Sequence, residues 1–240
     1  KYDNKSSKVK NKFKLIVLKI LLVVVIVAGA AGISSGIGVM KGIIDSAPDI
    51  SKIDVTPTGY STTVLAANGE ETATLVGQGA NRQYVTIDEI PLDLQHAFVA
   101  IEDERFYDHN GIDLHGIGRA FISGLSKGRF SEGASTITQQ LIKNNVLTSW
   151  TSETSFVEKL QRKIQEQYLA LELEKQVNDK DWILENYMNS VNLGANTLGV
   201  QAASKKYFNK DVSELTLSEA SVIAGITQNP SGYNPITHPD

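Results

Sequence analysis

Val157-Glu-Lys-Leu-Gln-Arg-Lys-Ile-Gln-Glu-Gln-Tyr-Leu-Ala-Leu-Glu-Leu-Glu174 is the stretch whose reading decides the fold. Val157, Leu160, Ile164, Tyr168 and Leu171 recur at helical spacing, so the segment reads as an amphipathic helix with these five on its stripe. Glu166 is about 200° round from Ile164, off that stripe, with Arg162 and Lys163 one turn back on its own side. Helical signals continue on either side. Thr86-Ile-Asp-Glu89 has the form of a capping box, with Pro91 in the opening turn, and Leu94, Phe98 and Ile101 follow at helical spacing. That periodicity places Glu102 at the end of a helix. Downstream, residues 179–189 (Trp182, Ile183, Tyr187) run into the loop Asn192-Leu-Gly-Ala-Asn-Thr-Leu-Gly199. Thr216-Leu-Ser-Glu219 caps a last apolar helix that ends at Asn229-Pro230. The body is therefore expected to be mainly α.

Before it the pattern changes. Residues 61–76 read as a β-hairpin, with Asn68-Gly69 favouring a type I′ turn between strand-prone runs. Residues 34–60, rich in Ser, Gly, Asp, Pro and Thr, read as a linker. Residues 15–33 are apolar except for Lys19, and about 20 such residues cross a bilayer as a helix. Lys1, Lys5, Lys8, Lys10, Lys12 and Lys14 form a basic stub (residues 1–14) ahead of the span. The positive-inside rule then puts the N-terminus in the cytoplasm and residues 34–240 outside. Lys19 lies near the cytoplasmic end, where it snorkels. A cleaved signal peptide has a shorter apolar region and a cleavage pattern absent here, which favours a retained anchor.

The net charge of −4 conceals an asymmetry. Residues 1–41 hold eight lysines against Asp3, whereas the rest holds 15 basic and 26 acidic residues. A basic stub on an acidic body argues against nucleic-acid binding. With no cysteine there is no disulfide framework, zinc knuckle or thiol nucleophile.

Two polar runs carry glutamates: Ala100-Ile-Glu-Asp-Glu-Arg-Phe-Tyr-Asp-His109 and Arg162-Lys-Ile-Gln-Glu166. Between them lies Gly133-Ala-Ser-Thr-Ile-Thr-Gln-Gln-Leu-Ile-Lys-Asn144. Its hydroxyls and amides compete for backbone hydrogen bonds, making a poor core and a poor helix interior but a good lining for a carbohydrate groove. Alone, Glu102 reads as a solvated helix end, and Arg162-Lys163-Glu166 as a salt-bridged helix face. Together, two carboxylates bracketing a donor-rich segment suit sugar transfer, which needs a base for a hydroxyl proton and stabilisation of the leaving group. His109 and His115 lack further metal-ligand spacing. No Gly-Lys-[Ser/Thr] follows residues 192–199, which excludes a P-loop.

Taken in order, five motifs resemble the family 51 glycosyltransferases, the peptidoglycan-polymerising domain of class A penicillin-binding proteins and monofunctional transglycosylases. They are Glu102-Asp-x-x-Phe106-x-x-His109-x-Gly111; Gly133-x-Ser-Thr-Ile-Thr-Gln-Gln-Leu141; Arg162-Lys-x-x-Glu166 with Ala170-Leu-x-Leu-Glu174; Ile183-Leu-Glu-x-Tyr-x-Asn189 through Gly194, Gly199 and Tyr207-Phe208; and Leu217 to Tyr233-Asn-Pro235. The match spans about residues 85–235. It implies a lysozyme-like helical glycosyltransferase domain over residues 85–240, preceded by the linker and hairpin of residues 34–84 and the membrane helix.

The resemblance also implies a mechanism. Glu102 is the general base on the 4-hydroxyl of the acceptor lipid II; that oxygen attacks the anomeric carbon of the growing glycan, and undecaprenyl pyrophosphate leaves with inversion. Asp103, Ser135, Thr136, Gln139 and Gln140 belong to the substrate site, and Phe106 walls the groove. Arg119, Lys143, Arg162 and Lys163 are the cations expected at the pyrophosphate. Three roles stay open for Glu166: holding those cations, binding a divalent metal (Mg2+ or Mn2+) at the pyrophosphate, or assisting the leaving group. Implied partners are lipid II, the lipid-linked glycan, the membrane and other cell-wall synthesis proteins.

This sequence departs from the family in two places. The stretch of residues 145–161 is longer than expected, and Glu158 occupies a position where the family usually has arginine. Ser7-x-x-Lys10 is the sole Ser-x-x-Lys and no Lys-Thr-Gly occurs, so these residues hold no transpeptidase chemistry. A chain starting at Lys1 and stopping past a Pro-rich turn leads to the expectation of a piece of a larger bifunctional protein. The competing functions are a glycan-cleaving enzyme, either a lytic transglycosylase or a lysozyme-like hydrolase, and a catalytically silent scaffold for wall assembly.

Overall fold

The computed structural model describes residues 3–52, 54–75, 81–127 and 133–239, and they fall into two units, residues 1–47 and 48–240. The first unit is one helix, α1 (Asp3–Asp45), and its described side chains lie almost entirely in the open. Residues 13–45 are long and apolar enough to cross a membrane. The helix runs past residue 33, so residues 34–45 are helical rather than linker. No proline interrupts the chain before Pro48, and Lys41 pairs with Asp45 one turn on (2.8 Å).

The second unit begins with the antiparallel pair β1 (Thr62–Leu65) and β2 (Glu71–Leu75). Val76, the last residue of the expected hairpin, lies outside the described residues. The turn differs from the expected type I′. The Gly69 N–H donates to Ala66 O (2.9 Å), leaving Ala67 and Asn68 as the central residues, and positive φ falls on Gly69 (+86°) but not on Asn68. This is a type I turn followed by a left-handed glycine, which also accommodates the register shift between Val64 and Leu65.

Among the described residues, seven α-helices build the body. The capping box at Thr86 is present, with Glu89 accepting from the Thr86 N–H (2.8 Å). It closes a separate 3-10 turn (Ile87–Glu89), however, and Pro91 then opens α2 (Leu92–Glu102). Leu94 and Phe98 are sealed in the core, whereas Ile101 is exposed, because Gln95 takes the inward position and bonds Ile87 O and Ile90 O. Helix α3 (Leu114–Lys127) buries Gly116 and Gly124 and turns Leu114, Phe121, Ile122 and Leu125 outward. The central helix is α4 (Ile137–Asn145), against which α5 (Phe156–Val177) and α6 (Lys180–Ser190) pack. Helix α7 (Val200–Phe208) precedes α8 (Leu217–Ile226), which lies on α2 and carries the expected Thr216–Glu219 box.

The α5 stripe is the main correction. Phe156, Val157, Leu160 and Leu171 are exposed, and the face turned to the core carries Gln165, Glu166, Leu169, Ala170, Leu173 and Glu174. Periodicity locates a helix but does not say which face the rest of the chain covers.

Candidate active site

Glu102 ends α2 and is half-buried, and each of its oxygens accepts from a neutral amide. Gln140 Nε2 on α4 donates to Oε2 (2.7 Å), and Gln228 Nε2, just past α8, donates to Oε1 (3.1 Å). Glu102 opens on a cleft of about 210 Å³ lined also by Asp103, Arg105, Arg119, Ser135 and Thr136. Arg119 is exposed there and pairs with Glu104 (2.9 Å).

Asp103 is buried. Its carboxylate accepts from His109 Nε2 (2.9 Å) and from the Ile137 N–H (3.0 Å) at the start of α4, where a helix favours an anion. His109 Nδ1 in turn accepts from the Gly111 N–H (3.2 Å), which places the ring proton on Nε2. Gly111 adopts φ +86°, and a Cβ there would sit 2.7 Å from Ala170 O on α5. That close approach lets Gly111 O accept from Thr136 Oγ1 (2.8 Å) and Gln139 Nε2 (3.1 Å).

The donor-rich segment therefore does form a buried helix, contrary to the expectation of a poor core. Thr136 caps it by accepting from the Gln139 N–H (3.2 Å), and Thr138 Oγ1 donates to Glu174 (2.5 Å). The cost of burying polar groups is offset because each finds a partner. Phe106 is corrected as well. It is wholly enclosed, with Lys180 Nζ 4.5 Å from its ring centre, and so packs behind the groove without facing it.

Glu166 is 2% exposed and held by two cations. Arg162 donates to Oε1 and Lys163 to Oε2 (3.0 Å); Lys163 also reaches Ser135 Oγ (2.6 Å) and Gln139 Oε1 (3.1 Å). Arg162 Nε meets a second carboxylate, Glu153 (2.8 Å). Lys143 stands over the Trp150 ring (5.0 Å). Burial pulls its ammonium below the ordinary value, while Glu166 draws it upward and Arg162 and Lys163 push it down. Glu102 also draws the Lys143 ammonium upward, by less than any of these. Both oxygens of Glu166 are engaged, and among the described residues no group of three or more His, Cys, Asp or Glu side chains comes together. A divalent ion bound by Glu166 at the pyrophosphate would have to displace Arg162 or Lys163 from that carboxylate.

Sequence reasoning passed over Glu153, Gln228 and the role of Tyr187, whose hydroxyl donates to Gln140 Oε1 (3.2 Å). Glu153 lies in the stretch already marked by its length. Gln228 is 126 residues from Glu102 and carries no local signal. Glu158, in the family's arginine position, caps α5 by accepting from the Ser155 N–H (3.0 Å), and Lys159 is exposed.

Comparison with known proteins shows the family. The family model described as transglycosylase matches residues 68–240. Penicillin-binding protein 1F of Bacillus subtilis (strain 168) is 45% identical over 180 residues, covering 75% of this chain and 24% of the relative. Penicillin-binding protein 1A of Clostridium botulinum (strain Langeland / NCTC 10281 / Type F) is 41% identical over 237 residues (96% and 27%), and that of Escherichia coli (strain K12) 39% over 221 residues (91% and 25%). The chain spans about a quarter of the length of these curated relatives. The chain belongs to the transglycosylase family, the family 51 glycosyltransferases, and carries their peptidoglycan glycosyltransferase domain.

Proposed function

We propose that this domain polymerises lipid II into β-1,4-linked glycan at a membrane surface. The observation that carries the reading is the contrast in surroundings between two carboxylates. Glu102 is bonded to neutral amides and opens on a cleft. Glu166 is sealed among Arg162 and Lys163, with Lys143 close by. An inverting transfer asks for a base on the attacking side and positive charge where the leaving group develops negative charge.

Glu102 accepts the proton of the acceptor 4-hydroxyl as that oxygen forms its bond to the donor anomeric carbon. The bond to the undecaprenyl pyrophosphate oxygen breaks, and the α-linked donor becomes a β linkage. Lys143, Arg162 and Lys163 neutralise the departing pyrophosphate. Glu166 holds Arg162 and Lys163 side by side, which is its role in this reading. Ser135 and Arg119 line the Glu102 cleft, so in this reading Arg119, expected among the pyrophosphate cations, contacts the sugars together with Ser135.

Two features support lipid-borne substrates. The outward apolar residues of α3 suit a lipid surface, and the lysine-flanked α1 suits a single span with its N-terminus in the cytoplasm. The catalytic unit then stands outside the cell membrane, where other wall-synthesis proteins are its expected neighbours. Incubation of the chain in detergent with lipid II alone tests the proposal. Ladders of lengthening glycan support it, whereas cleavage of preformed peptidoglycan without polymerisation would replace it with a lytic activity.

A further inference from the structure

Glu102 reaches the cleft from the last residue of a helix, where a carboxylate has little to hold it. Both of its oxygens nevertheless accept from an amide. Gln140 donates to one and Gln228 to the other, from segments 38 and 126 residues away. Gln140 is itself anchored, since Tyr187 donates to its amide oxygen (3.2 Å) from a fully buried ring packed edge-on against Phe98 (6.1 Å). Burial, reinforced by Glu102 and Asp103, raises the Tyr187 phenol well above its usual value, so it stays protonated and keeps donating.

Gln228 is exposed, and among the described residues no side chain is bonded to its amide oxygen. It sits in the turn that follows α8, and its backbone N–H bonds Gly225 O (3.3 Å). Since α8 packs on α2, the helix that carries Glu102, the turn and the base are held on one frame. The chemistry of the two clamps is also selective. An ammonium or guanidinium bonded directly to Glu102 would stabilise the carboxylate and weaken it as a proton acceptor, whereas an amide orients it without a net charge. The cations of the site are gathered on Glu166 instead.

We infer that Gln228 is a positioning residue for the proposed base: its amide N–H fixes the Glu102 carboxylate so that a lone pair meets the acceptor hydroxyl, and the turn after α8 is thereby part of the acceptor side of the site. The inference rests on the polymerase reading above. It requires the donating amide, not merely the volume of the side chain.

Three variants of the 240-residue chain in detergent separate those alternatives: Gln228→Met, which keeps length and loses the donor; Gln228→Glu, which keeps shape and sets a second carboxylate against the first; and Gln228→Ala. Initial rates are measured over a range of lipid II concentrations, alongside melting temperature and the affinity of a fluorescent phosphoglycolipid for the donor side. The expected result is a kcat lowered about 10- to 100-fold in Gln228→Met and Gln228→Ala. Gln228→Glu falls at least as far, with melting temperature and phosphoglycolipid affinity unchanged in all three. Wild-type kcat in Gln228→Met or Gln228→Glu would overturn the inference while leaving the polymerase reading intact. So would a loss of kcat matched by a loss of phosphoglycolipid affinity or of melting temperature. Failure of the unaltered chain to form glycan would overturn both.

Discussion

At the residue scale the two glutamates are unequal in surroundings as well as in reading. Glu102 is half open and clamped by amides, so Glu102→Gln keeps the shape and removes the base. Glycan synthesis should fall by at least about 100-fold in a lipid II assay, with little change in melting temperature. Lys143 is tied to its neighbours by field and by the Trp150 ring, with no carboxylate among the described residues bonded to it directly. Lys143→Ala should therefore weaken phosphoglycolipid binding by about 10-fold or more, measured by fluorescence, and leave folding almost untouched. Asp113 gives a pH test. The Arg105 guanidinium (2.5 Å) holds its carboxyl at about 2, against a lesser opposing effect of burial. A depressed carboxyl stabilises the fold above its unfolded value of about 3.9, and that contribution is lost as pH falls toward its folded value. Urea melts between pH 5 and pH 2 should show a steep loss of stability in the wild type and a shallower one in Asp113→Asn.

At the element scale, what matters is how α4 and α5 are forced together. The loop at Gly111 threads between them, with its carbonyl accepting from Thr136 and Gln139 while its Cα lies against Ala170 O. Gly111→Ala meets both a disfavoured φ and a 2.7 Å contact with backbone that cannot swing aside. It should cost about 2–4 kcal/mol in chemical denaturation and should displace Gln139 from Lys163. The inverted stripe of α5 belongs to this scale too. Its inward face carries Glu166 and Glu174 because Lys163, Arg162, Thr138 and Lys180 supply partners that an apolar core would lack. Helix caps were readable because they depend on residues within one turn. Facing was not, because it depends on what packs across.

For the molecule as a whole, one unit is a helix long and apolar enough to cross a membrane and the other carries the candidate site. Residues 48–240 contain the helical core and every bond described around the site, so that segment alone should unfold cooperatively, with a melting temperature near that of the full chain by circular dichroism. The sequence by itself determined the mainly helical class, the long apolar span, the capping boxes at Thr86 and Thr216 and the five motifs with their two glutamates. All of these are written in short-range spacing and residue type. Only the tertiary structure decided which face of α5 is buried, that Phe106 is sealed away, that Glu153 bonds Arg162, and that Gln228 reaches Glu102 across 126 residues. Spacing along a chain fixes local geometry, whereas burial and pairing depend on segments distant in sequence that meet only when the core closes.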